Sequence, residues 1–312
     1  MEENLLRFKN EEIINNLTLT LAAISQTIHK LTSLPLGLPV PVQSGDGGKP
    51  SLYVIKIGGN IIDDDRMLCS FLESFAALNT GTALILVHGG GKLATKLAEK
   101  AGIKQQLVEG RRITDAETLK IVTMVYAGYI NKNIVAQLQA NGCNAIGLSG
   151  ADGNAILAHK RIVAGNTDYG FAGDVDEVNA AFLKTLLEQN FAVVLAPITH
   201  DKKGQLLNTN ADTIAQETAK ALSTFYNVTL IYSFEKSGVL LDTEDDTTVI
   251  KEINPSFYQE LKSQQKIFAG MIPKLDNAFA ALNSGVKKVV IGKAETLELL
   301  LNGSAGTTIT NE

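Results

Sequence analysis

From residue 51 onward, short unbroken runs of apolar residues alternate along the chain with longer segments of helical periodicity. The apolar runs predict strands at Leu52–Ile57, Ala83–Val87, Ala145–Leu148, Ala192–Pro197, Val228–Tyr232 and Lys288–Ile291. The periodic segments predict helices at Met67–Leu78, after Gly91 through Lys100, at Asp115–Gln139 with Thr114 as its cap, and at Ala180–Gln189, Ala211–Leu222, Pro273–Asn283 and from Glu295. Apolar strands that are each followed by a helix are typical of a parallel sheet covered on both faces. The pattern therefore predicts an α/β fold with a largely parallel central sheet.

Residues 1–50 do not share this pattern. Apolar residues recur there in steps of three and four, at Ile14, Leu17, Leu21, Ile24, Ile28 and Leu31. This spacing predicts a helix with the seam of a short coiled coil, and it fits equally a helix that folds back on its own domain. The following stretch, PLGLPVPVQSGDGGKP, is rich in proline and glycine and predicts a linker. We therefore expect a helical extension and a linker over residues 1–50.

Composition and charge limit the classes of function. The 312 residues are 45% hydrophobic and 20% charged, which is typical of one large globular domain or of two lobes. The net charge is −5 without a long basic run, so a nucleic-acid-binding surface is not expected. Cys69 and Cys143 lie far apart, outside any metal-ligand spacing. Since no apolar run has bilayer-spanning length and the N-terminus MEENLL is acidic, we expect a cytoplasmic protein with reduced thiols.

Two glycine turns follow the first two predicted strands. Gly58-Gly59 follows the first strand, and Gly89-Gly90-Gly91 follows the second and opens a helix. Ligands of parallel sheets bind beyond the carboxyl ends of the strands, and glycine lets backbone N–H groups approach an anion closely. Neither turn has the spacing of a P-loop or of a dinucleotide-binding fingerprint. One such turn more often serves tight packing, but two at successive strand ends favour a phosphate or carboxylate site.

Two lysines occupy positions that are unfavourable for a positive charge. Lys56 lies within an apolar strand, where a lysine is costly to bury unless it is paired or faces a ligand. Lys274 lies in the first turn of a predicted helix, where the helix dipole disfavours a cation unless an anion is bound. The alternatives are an edge strand from which Lys56 reaches solvent, and a solvated surface position for Lys274. We interpret the two lysines together as groups that bind negative charge.

A polar turn and an arginine pair add further candidate groups. The segment LNTNADT places Asn208, Asn210 and Asp212 at the start of a helix. Because Asn and Asp cap helices routinely, capping is an alternative to substrate binding at these positions. Arg112, in the segment GRRIT, could hold a carboxylate through two parallel hydrogen bonds or make a surface ion pair. These side chains are candidates for binding a substrate and for fixing the lysines.

The candidate groups fit phosphoryl transfer to a carboxylate. The four histidines, His29, His88, His159 and His200, form no Ser-His or Cys-His pattern. A carboxylate acceptor has an ordinary pKa of about 4.3, so it is ionised near neutral pH and needs no base. The obstacle is repulsion between two anions, which lysines, backbone N–H groups and Mg²⁺ relieve.

Eight sequence segments, taken in order, resemble the amino acid kinase family, and within it the kinases that phosphorylate N-acyl-glutamates. They are VIKIGGN, LVHGGGK, GRRIT, AIGLSGADG, GFAGDVDEVN, LNTNADT, AGMIPKLDNA and GTTI. The resemblance implies a three-layer αβα sandwich, with an acyl-glutamate-binding lobe at 51–225 and an ATP-binding lobe at 226–312. It implies ATP as the phosphoryl donor, Mg²⁺ carried by the nucleotide, and an acyl phosphate product on the route to arginine or ornithine. It also implies a homo-oligomer, either a dimer or a hexamer formed through the N-terminal helix.

The resemblance implies a role for each candidate residue as well. Lys56 and Lys274 would stabilise the transferring phosphoryl group, and Asp212 would orient both lysines. The acyl-glutamate would be bound by Gly90, Gly91, Arg112, Asn208 and Asn210. ATP would be bound by Gly58, Gly59, Ser233 and Glu235. The segment from Ser233 to Gly238 departs from the Ser/Thr-Asp pair and shorter turn that are usual in the family, so we expect altered nucleotide contacts there.

Three alternative functions share parts of this pattern. A non-catalytic arginine or nitrogen sensor of the same fold would suit the altered turn, but it would not need both lysines and Asp212. A nicotinamide-dependent oxidoreductase would need a different glycine spacing. A kinase of the same family could act on carbamate or aspartate. The acyl group stays open between acetyl and succinyl; the extra carboxylate of succinyl requires a basic partner, for which Arg111 and Lys92 are candidates.

Overall fold

The computed structural model describes residues 48–79, 81–108, 111–162, 167–242, 244–267 and 271–311. Of the predicted helical extension and linker, only residues 48–50 fall within these ranges, so most of that prediction lies outside the described residues. Gly110 of the GRRIT segment and the side chain of Arg111 lie outside them as well. Within the described ranges, no helix combines the length and the apolarity that crossing a bilayer requires.

The centre of the fold is a sheet built mainly from the predicted strands. The strands are β1 (Ser51–Ile57), β2 (Ala83–His88), β3 (Gln106–Val108), β4 (Arg111–Ile113), β5 (Ala145–Leu148), β6 (Ile156–Lys160), β7 (Ala172–Val178), β8 (Ala192–Leu195), β9 (Ile198–His200), β10 (Leu206–Thr209), β11 (Asn227–Phe234), β12 (Glu252–Ile253), β13 (Lys288–Lys293) and β14 (Thr307–Ile309). Eight of them form one sheet in the order β12-β14-β13-β11-β1-β2-β8-β5. Its neighbouring strands are parallel except for β13 and β14. The prediction of a largely parallel central sheet is confirmed.

Helices follow most of the central strands. They are α1 (Gly59–Ile62), α2 (Asp65–Ala77), α3 (Gly91–Lys100), α4 (Ala116–Thr123), α5 (Asn131–Ala140), α6 (Ala180–Glu188), α7 (Ala211–Leu222), α8 (Pro255–Ser263), α9 (Ile272–Asn283) and α10 (Leu297–Leu301). A π-helical segment, Met124–Ile130, joins α4 to α5, so the long helix predicted from residue 115 exists with a wider turn in its middle. The prediction of Thr114 as its cap is wrong. Asp115 caps the helix because its carboxylate reaches the amide of Thr118 at 2.7 Å.

Two apolar cores cover the two faces of the central sheet. Along β1, Leu52 and Val54 belong to one core, and Ile55 and Ile57 belong to the other. Residues of α6, α7, α8 and α9 complete the first core, and residues of α2, α4, α5 and α10 complete the second. The three-layer αβα sandwich is therefore confirmed. Since alternate side chains of a strand share a face, Lys56 projects towards the layer that contains α7 and α9.

A second, smaller sheet was not predicted from the sequence. It consists of β10, β7, β6 and β9, which close on one another, and β3 pairs separately with β4. The strand β7, AGDVDEV, is interrupted by charged residues and is only partly buried, so it lacks the apolar run that marks the central strands. Residue pairing sets Ala172 of β7 beside Asn208 of β10. This small sheet thereby contributes one wall of the site described next.

Candidate functional site

The two glycine turns meet at the carboxyl edge of the central sheet. Strands β1 and β2 run parallel with Ile57 paired to His88, so Gly58 and Gly89 leave the sheet side by side. The amide of Gly89 donates a hydrogen bond to the Ile57 carbonyl oxygen at 3.3 Å. The turns therefore form one continuous backbone surface beyond the strand ends.

Gly90 adopts a conformation that requires glycine. Its φ is +146°, and a Cβ atom at this position would lie 2.2 Å from Cδ1 of Ile130. Gly90 directly precedes α3, whose first backbone N–H groups have no partner within the helix. The turn consequently offers N–H donors and the positive end of a helix dipole to an anion.

His88 is a buried neutral imidazole beneath the second turn. Its Nδ1 lies 2.8 Å from the Gly89 carbonyl oxygen, and its Nε2 lies 3.2 Å from the side-chain nitrogen of Asn131. Since a carbonyl oxygen only accepts and an amide nitrogen only donates, the proton is on Nδ1. Burial lowers the pKa of His88 to about 4. His88 therefore stays neutral near pH 7 and holds Gly89 in position.

Lys56 forms an ion pair with Asp212. The two atoms Lys56 Nζ and Asp212 Oδ1 lie 2.7 Å apart, and the side chains are only 14% and 21% exposed. Asp212 lies in the first turn of α7, where the helix dipole favours a negative charge. Burial alone would raise the pKa of the Asp212 carboxyl group, but the charges of Lys56 and Lys274 outweigh it and hold that pKa below its ordinary value. Asp212 is thus an anion between two cationic side chains.

Lys274, in the first turn of α9, belongs to the same group of charges. Its Nζ atom lies 4.6 Å from the centre of the Phe234 ring, at the end of β11. Burial lowers the pKa of the Lys274 ammonium group and Lys56 lowers it further, while Asp212 and Glu235 raise it. The structure therefore brings together three residues from separate parts of the chain. We call Lys56, Asp212 and Lys274 the two-lysine cluster.

A cavity of about 190 Å³ lies next to the two-lysine cluster. All the residues predicted to bind the acyl-glutamate line it, namely Gly90, Gly91, Arg112, Asn208 and Asn210. Its other lining residues are Gly89, Leu107, Tyr126, Arg161, Ala172, Gly173, Pro197, Thr209 and Ala211. Among the described residues that line the cavity, none is acidic. Because Ala211 directly precedes Asp212, the cavity adjoins the cluster.

Arg112 is fixed against the second glycine turn. Its Nη2 donates to the carbonyl oxygen of Gly91 at 2.9 Å and to the hydroxyl of Thr95 at 2.8 Å, and its Nη1 contacts the side-chain oxygen of Gln105. Three neutral acceptors therefore orient the guanidinium group without cancelling its charge. Its remaining N–H groups suit a carboxylate in the cavity.

The two asparagines of the polar turn have different local roles. Asn210 caps α7, since its side-chain oxygen accepts from the amide nitrogens of Asp212 at 2.7 Å and Thr213 at 3.2 Å. Asn208 donates to the Thr114 hydroxyl at 2.9 Å across the cavity wall. The capping interpretation is therefore correct for Asn210, which lines the cavity at the same time.

The residues predicted to bind ATP are not among those that line this cavity. Space beyond the Cα atom of Gly58 is open, and a Cβ atom at Gly59 would meet only the carboxylate of Asp63 at 3.7 Å. Ser233 is 1% exposed and its hydroxyl has no hydrogen-bond partner among the described residues. Glu235 is exposed. The ATP contacts of these four residues stay a prediction.

Sequence reasoning missed three polar residues of the cavity, Arg161, Tyr126 and Thr209. Arg161 directly follows β6, a strand that the apolar pattern did not reveal. Tyr126 lies in the π-helical segment, and burial raises the pKa of its hydroxyl group. The sequence shows Arg161 only as a basic residue in a segment for which no strand or helix was predicted. This does not distinguish a ligand-binding arginine from a surface arginine.

Comparisons with known proteins show which family this chain belongs to. Residues 51–293 match the sequence model of the amino acid kinase family. The acetylglutamate kinase of Cytophaga hutchinsonii is 58% identical over 251 residues, which are 80% of this chain and 94% of that protein. The acetylglutamate kinase of Phocaeicola vulgatus is 55% identical over 261 residues, which are 84% of this chain and 99% of that protein.

Solved structures show the same fold at lower identity. N-acetylglutamate synthase from Neisseria gonorrhoeae, complexed with coenzyme A and N-acetyl-glutamate, superposes with a TM-score of 0.71 at 24% identity. The match covers 84% of this chain and 59% of that longer one. Carbamate kinase from Giardia lamblia bound to AMP-PNP superposes with a TM-score of 0.60 at 17% identity, over 85% of this chain and 99% of that one. At such identities the likeness concerns the fold alone.

Proposed function

Because the chain belongs to the amino acid kinase family, we propose that it catalyses ATP-dependent phosphorylation of the side-chain carboxylate of N-acetyl-L-glutamate in arginine biosynthesis. The observation that carries this proposal is the two-lysine cluster beside a cavity without acidic lining. The acetylglutamate kinases of the comparison support the choice of acceptor. The match covers 94% and 99% of the two acetylglutamate kinases, so this chain is long enough to carry the whole activity.

The cavity suits an acyl-glutamate with one carboxylate at each end. Arg112 and the N–H groups that follow Gly90 would bind the α-carboxylate, because they are fixed donors without a competing acid. Asn208 and Asn210 would orient the rest of the substrate from the wall formed by β10. The side-chain carboxylate would then face Lys56. This placement directs the nucleophilic oxygen to the cluster.

The two lysines would neutralise charge at the reacting centre. A carboxylate oxygen forms a bond to the γ-phosphorus while the bond from phosphorus to the β,γ-bridging oxygen breaks, and ADP leaves. No proton has to be removed from the acceptor, because a carboxylate is already ionised near neutral pH. Ammonium groups fixed by Asp212 stabilise the charge that spreads over the transferring phosphoryl group without reorganising during the reaction. Asp212 is a positioning residue in this scheme.

ATP would occupy the side of the carboxyl edge formed by Gly58, Gly59 and the end of β11. The open space beyond Gly58 permits the close approach of phosphate oxygens to the backbone. Lys274 beside Phe234 would reach the same phosphates. Mg²⁺ bound to the nucleotide supplies further charge neutralisation. The division into an acyl-glutamate lobe and an ATP lobe, the homo-oligomer and the cytoplasmic location are parts of the proposal that rest on the sequence.

A hydroxylamine trap tests the proposed function. The protein is incubated with Mg-ATP and N-acetyl-L-glutamate, N-succinyl-L-glutamate, carbamate or L-aspartate, and both ADP and hydroxylamine-trapped product are measured. We expect stoichiometric ADP and hydroxamate with N-acetyl-L-glutamate. Turnover with carbamate or aspartate alone would assign another acceptor within the family. Absence of turnover with every acceptor would favour a ligand sensor and contradict the proposal.

A further inference from the structure

Arg161 is a third cationic group in the cavity wall. Its backbone amide donates to the Ala172 carbonyl oxygen at 2.8 Å, and Ala172 is paired with Asn208 on the next strand. Arg161 and Asn208 therefore flank the same residue of β7, on opposite sides. The Arg161 side chain is 16% exposed and lines the cavity. It is thus a largely buried arginine within reach of a bound substrate.

Asp174 fixes the guanidinium group of Arg161 and leaves one of its edges available. Arg161 Nε lies 3.1 Å from each carboxylate oxygen of Asp174, and its Nη2 contacts the same carboxylate. The ring of Tyr169 lies 5.6 Å from the centre of the guanidinium group. The Nη1 donors have no acceptor among the residues that the structure describes. A guanidinium group held by one carboxylate can present the other edge of its plane to a second one.

In the placement proposed above, N-acetyl-glutamate makes no charged contact with Arg161. In the proposed function, one carboxylate of the substrate faces the two-lysine cluster and the other faces Arg112. The acetyl group is neutral and ends in a methyl group. Both carboxylates of the substrate are thereby placed, so the acyl group is left to face the wall that contains Arg161. Asp174 already balances the charge of Arg161, but the Nη1 edge of the guanidinium group can still donate to a further anionic group.

We propose that Arg161 binds a carboxylate at the far end of the acyl group, so that the site prefers glutamates acylated with a dicarboxylic acid, such as succinyl, over N-acetyl-glutamate. This inference rests on the proposed function and deepens it. The inference does not rest on Lys92 or Arg111, the two residues that the sequence suggested as partners of the succinyl carboxylate. Lys92 is exposed, contacts Asn60 and does not line the cavity, and the side chain of Arg111 lies outside the described residues.

Arg161 and Asp174 could instead form an ion pair whose role is to join β6 to β7. Such a pair would stabilise the small sheet and would affect every substrate alike. The two interpretations differ in one quantity, the ratio of kcat/KM for N-succinyl-L-glutamate to kcat/KM for N-acetyl-L-glutamate. A structural role leaves this ratio unchanged, and a specificity role lowers it when Arg161 is replaced.

The test measures this ratio in the wild-type protein, in Arg161→Gln and Arg161→Lys, and in Lys160→Gln as the matched control. Lys160 is the exposed neighbour of Arg161 and pairs with Asp168. We expect the wild type to favour the succinyl substrate, and Arg161→Gln to lower the ratio by at least about tenfold, as for a lost hydrogen bond between charged groups. Arg161→Lys should give a smaller decrease and Lys160→Gln none.

Failure of the inference can be distinguished from failure of the proposed function. A wild-type protein that phosphorylates N-acetyl-L-glutamate at least as well as the succinyl substrate would overturn the inference alone. Equal losses with both substrates in Arg161→Gln and Arg161→Lys would overturn it too, and would assign a structural role. Phosphorylation of neither substrate would instead contradict the proposed function. Thermal unfolding of each variant identifies any loss of activity that comes from misfolding. If Arg161→Gln does not fold, the ratio of kcat/KM values in Arg161→Lys is compared with that of the wild type instead.

Discussion

The ammonium group of Lys56 lies 2.7 Å from the carboxylate of Asp212, which joins the end of a central strand to the first turn of a helix. Lys274 acts on the same carboxylate and lowers its pKa together with Lys56. One buried anion therefore keeps two like charges close to each other. Without Asp212, the repulsion between the two ammonium groups and the cost of burying them would favour loss of a proton from one of the two lysines.

The Asp212→Asn variant tests this relationship through pH. In the wild type the charge of Asp212 raises the pKa of Lys274 and partly opposes the effect of burial. Removing that charge lowers the pKa of Lys274 further, so the loss of kcat on the alkaline side should begin at a lower pH. The measurement is the pH dependence of kcat under saturating substrates. Asp201→Asn, in an exposed turn, is the control, and alkaline limbs that coincide in all three proteins would contradict the account.

Replacing Arg112 with lysine should weaken binding of the acyl-glutamate. A lysine cannot make the divergent hydrogen bonds that Arg112 makes to Gly91, Thr95 and Gln105 and also present a further N–H group to a carboxylate. We expect KM for N-acetyl-L-glutamate to rise about 10- to 100-fold, the equivalent of one or two charged hydrogen bonds, with little change in KM for ATP. Arg66→Lys, at an exposed arginine of α2, controls for the change of residue type. Equal increases in both KM values would argue against a role specific to the acceptor.

Gly90→Ala should destabilise the protein and impair catalysis together. The new methyl group would lie 2.2 Å from Ile130 Cδ1, and a φ of +146° is unfavourable for alanine. We expect the free energy of unfolding to fall by about 2 kcal/mol, within the range for overpacked positions. Gly128→Ala is the matched control, because a Cβ atom there would meet nothing within 4 Å. Urea unfolding compares the two variants, and a Gly90→Ala protein as stable as Gly128→Ala would show that the turn adapts.

Stability should decrease in mild acid because of His88. Its pKa is about 4 in the folded protein, below the ordinary value of 6.5. As the pH falls from 6.5 towards 4, the unfolded chain takes up a proton that the folded chain does not. The free energy of unfolding should therefore decrease across this window, with His88 contributing up to about 3 kcal/mol.

The measurement for His88 is urea unfolding between pH 7 and pH 4.5, combined with NMR of the imidazole nitrogens. We expect the Nδ1-protonated neutral form to persist in the folded protein down to about pH 5. An imidazole signal that titrates near 6.5 in the folded state would contradict the buried, neutral assignment.

The sequence predicts the central layer well, because buried parallel strands appear as unbroken apolar runs. Lys56 could be identified for the same reason, as a charge where the pattern requires an apolar residue. Asn210 was ambiguous from the sequence because one side chain both caps α7 and lines the cavity. Helical periodicity located the helix that begins near residue 115 but not its π-helical segment, which changes hydrogen-bond register without changing which residues are apolar.

The small sheet and Arg161 could not be predicted in the same way. Strand β7 carries three charged residues, and its partner β10 follows after two intervening strands and a helix. Whether an arginine after β6 lines a cavity or faces solvent depends on that long-range pairing. The sequence shows that residue 161 is an arginine, but only the pairing of Ala172 with Asn208 places Arg161 at the site.

The central claim is that Lys56 and Lys274 act on one transferring phosphoryl group. It is tested most directly by kcat for N-acetyl-L-glutamate phosphorylation in Lys56→Gln and Lys274→Gln. Lys220→Gln, a lysine of α7 paired with Glu217, is the control. We predict that each of the two variants lowers kcat by at least about 100-fold, the usual effect of removing one group that stabilises transition-state charge, while both KM values change much less. Folded variants of Lys56 and Lys274 whose kcat equals that of Lys220→Gln would contradict the account.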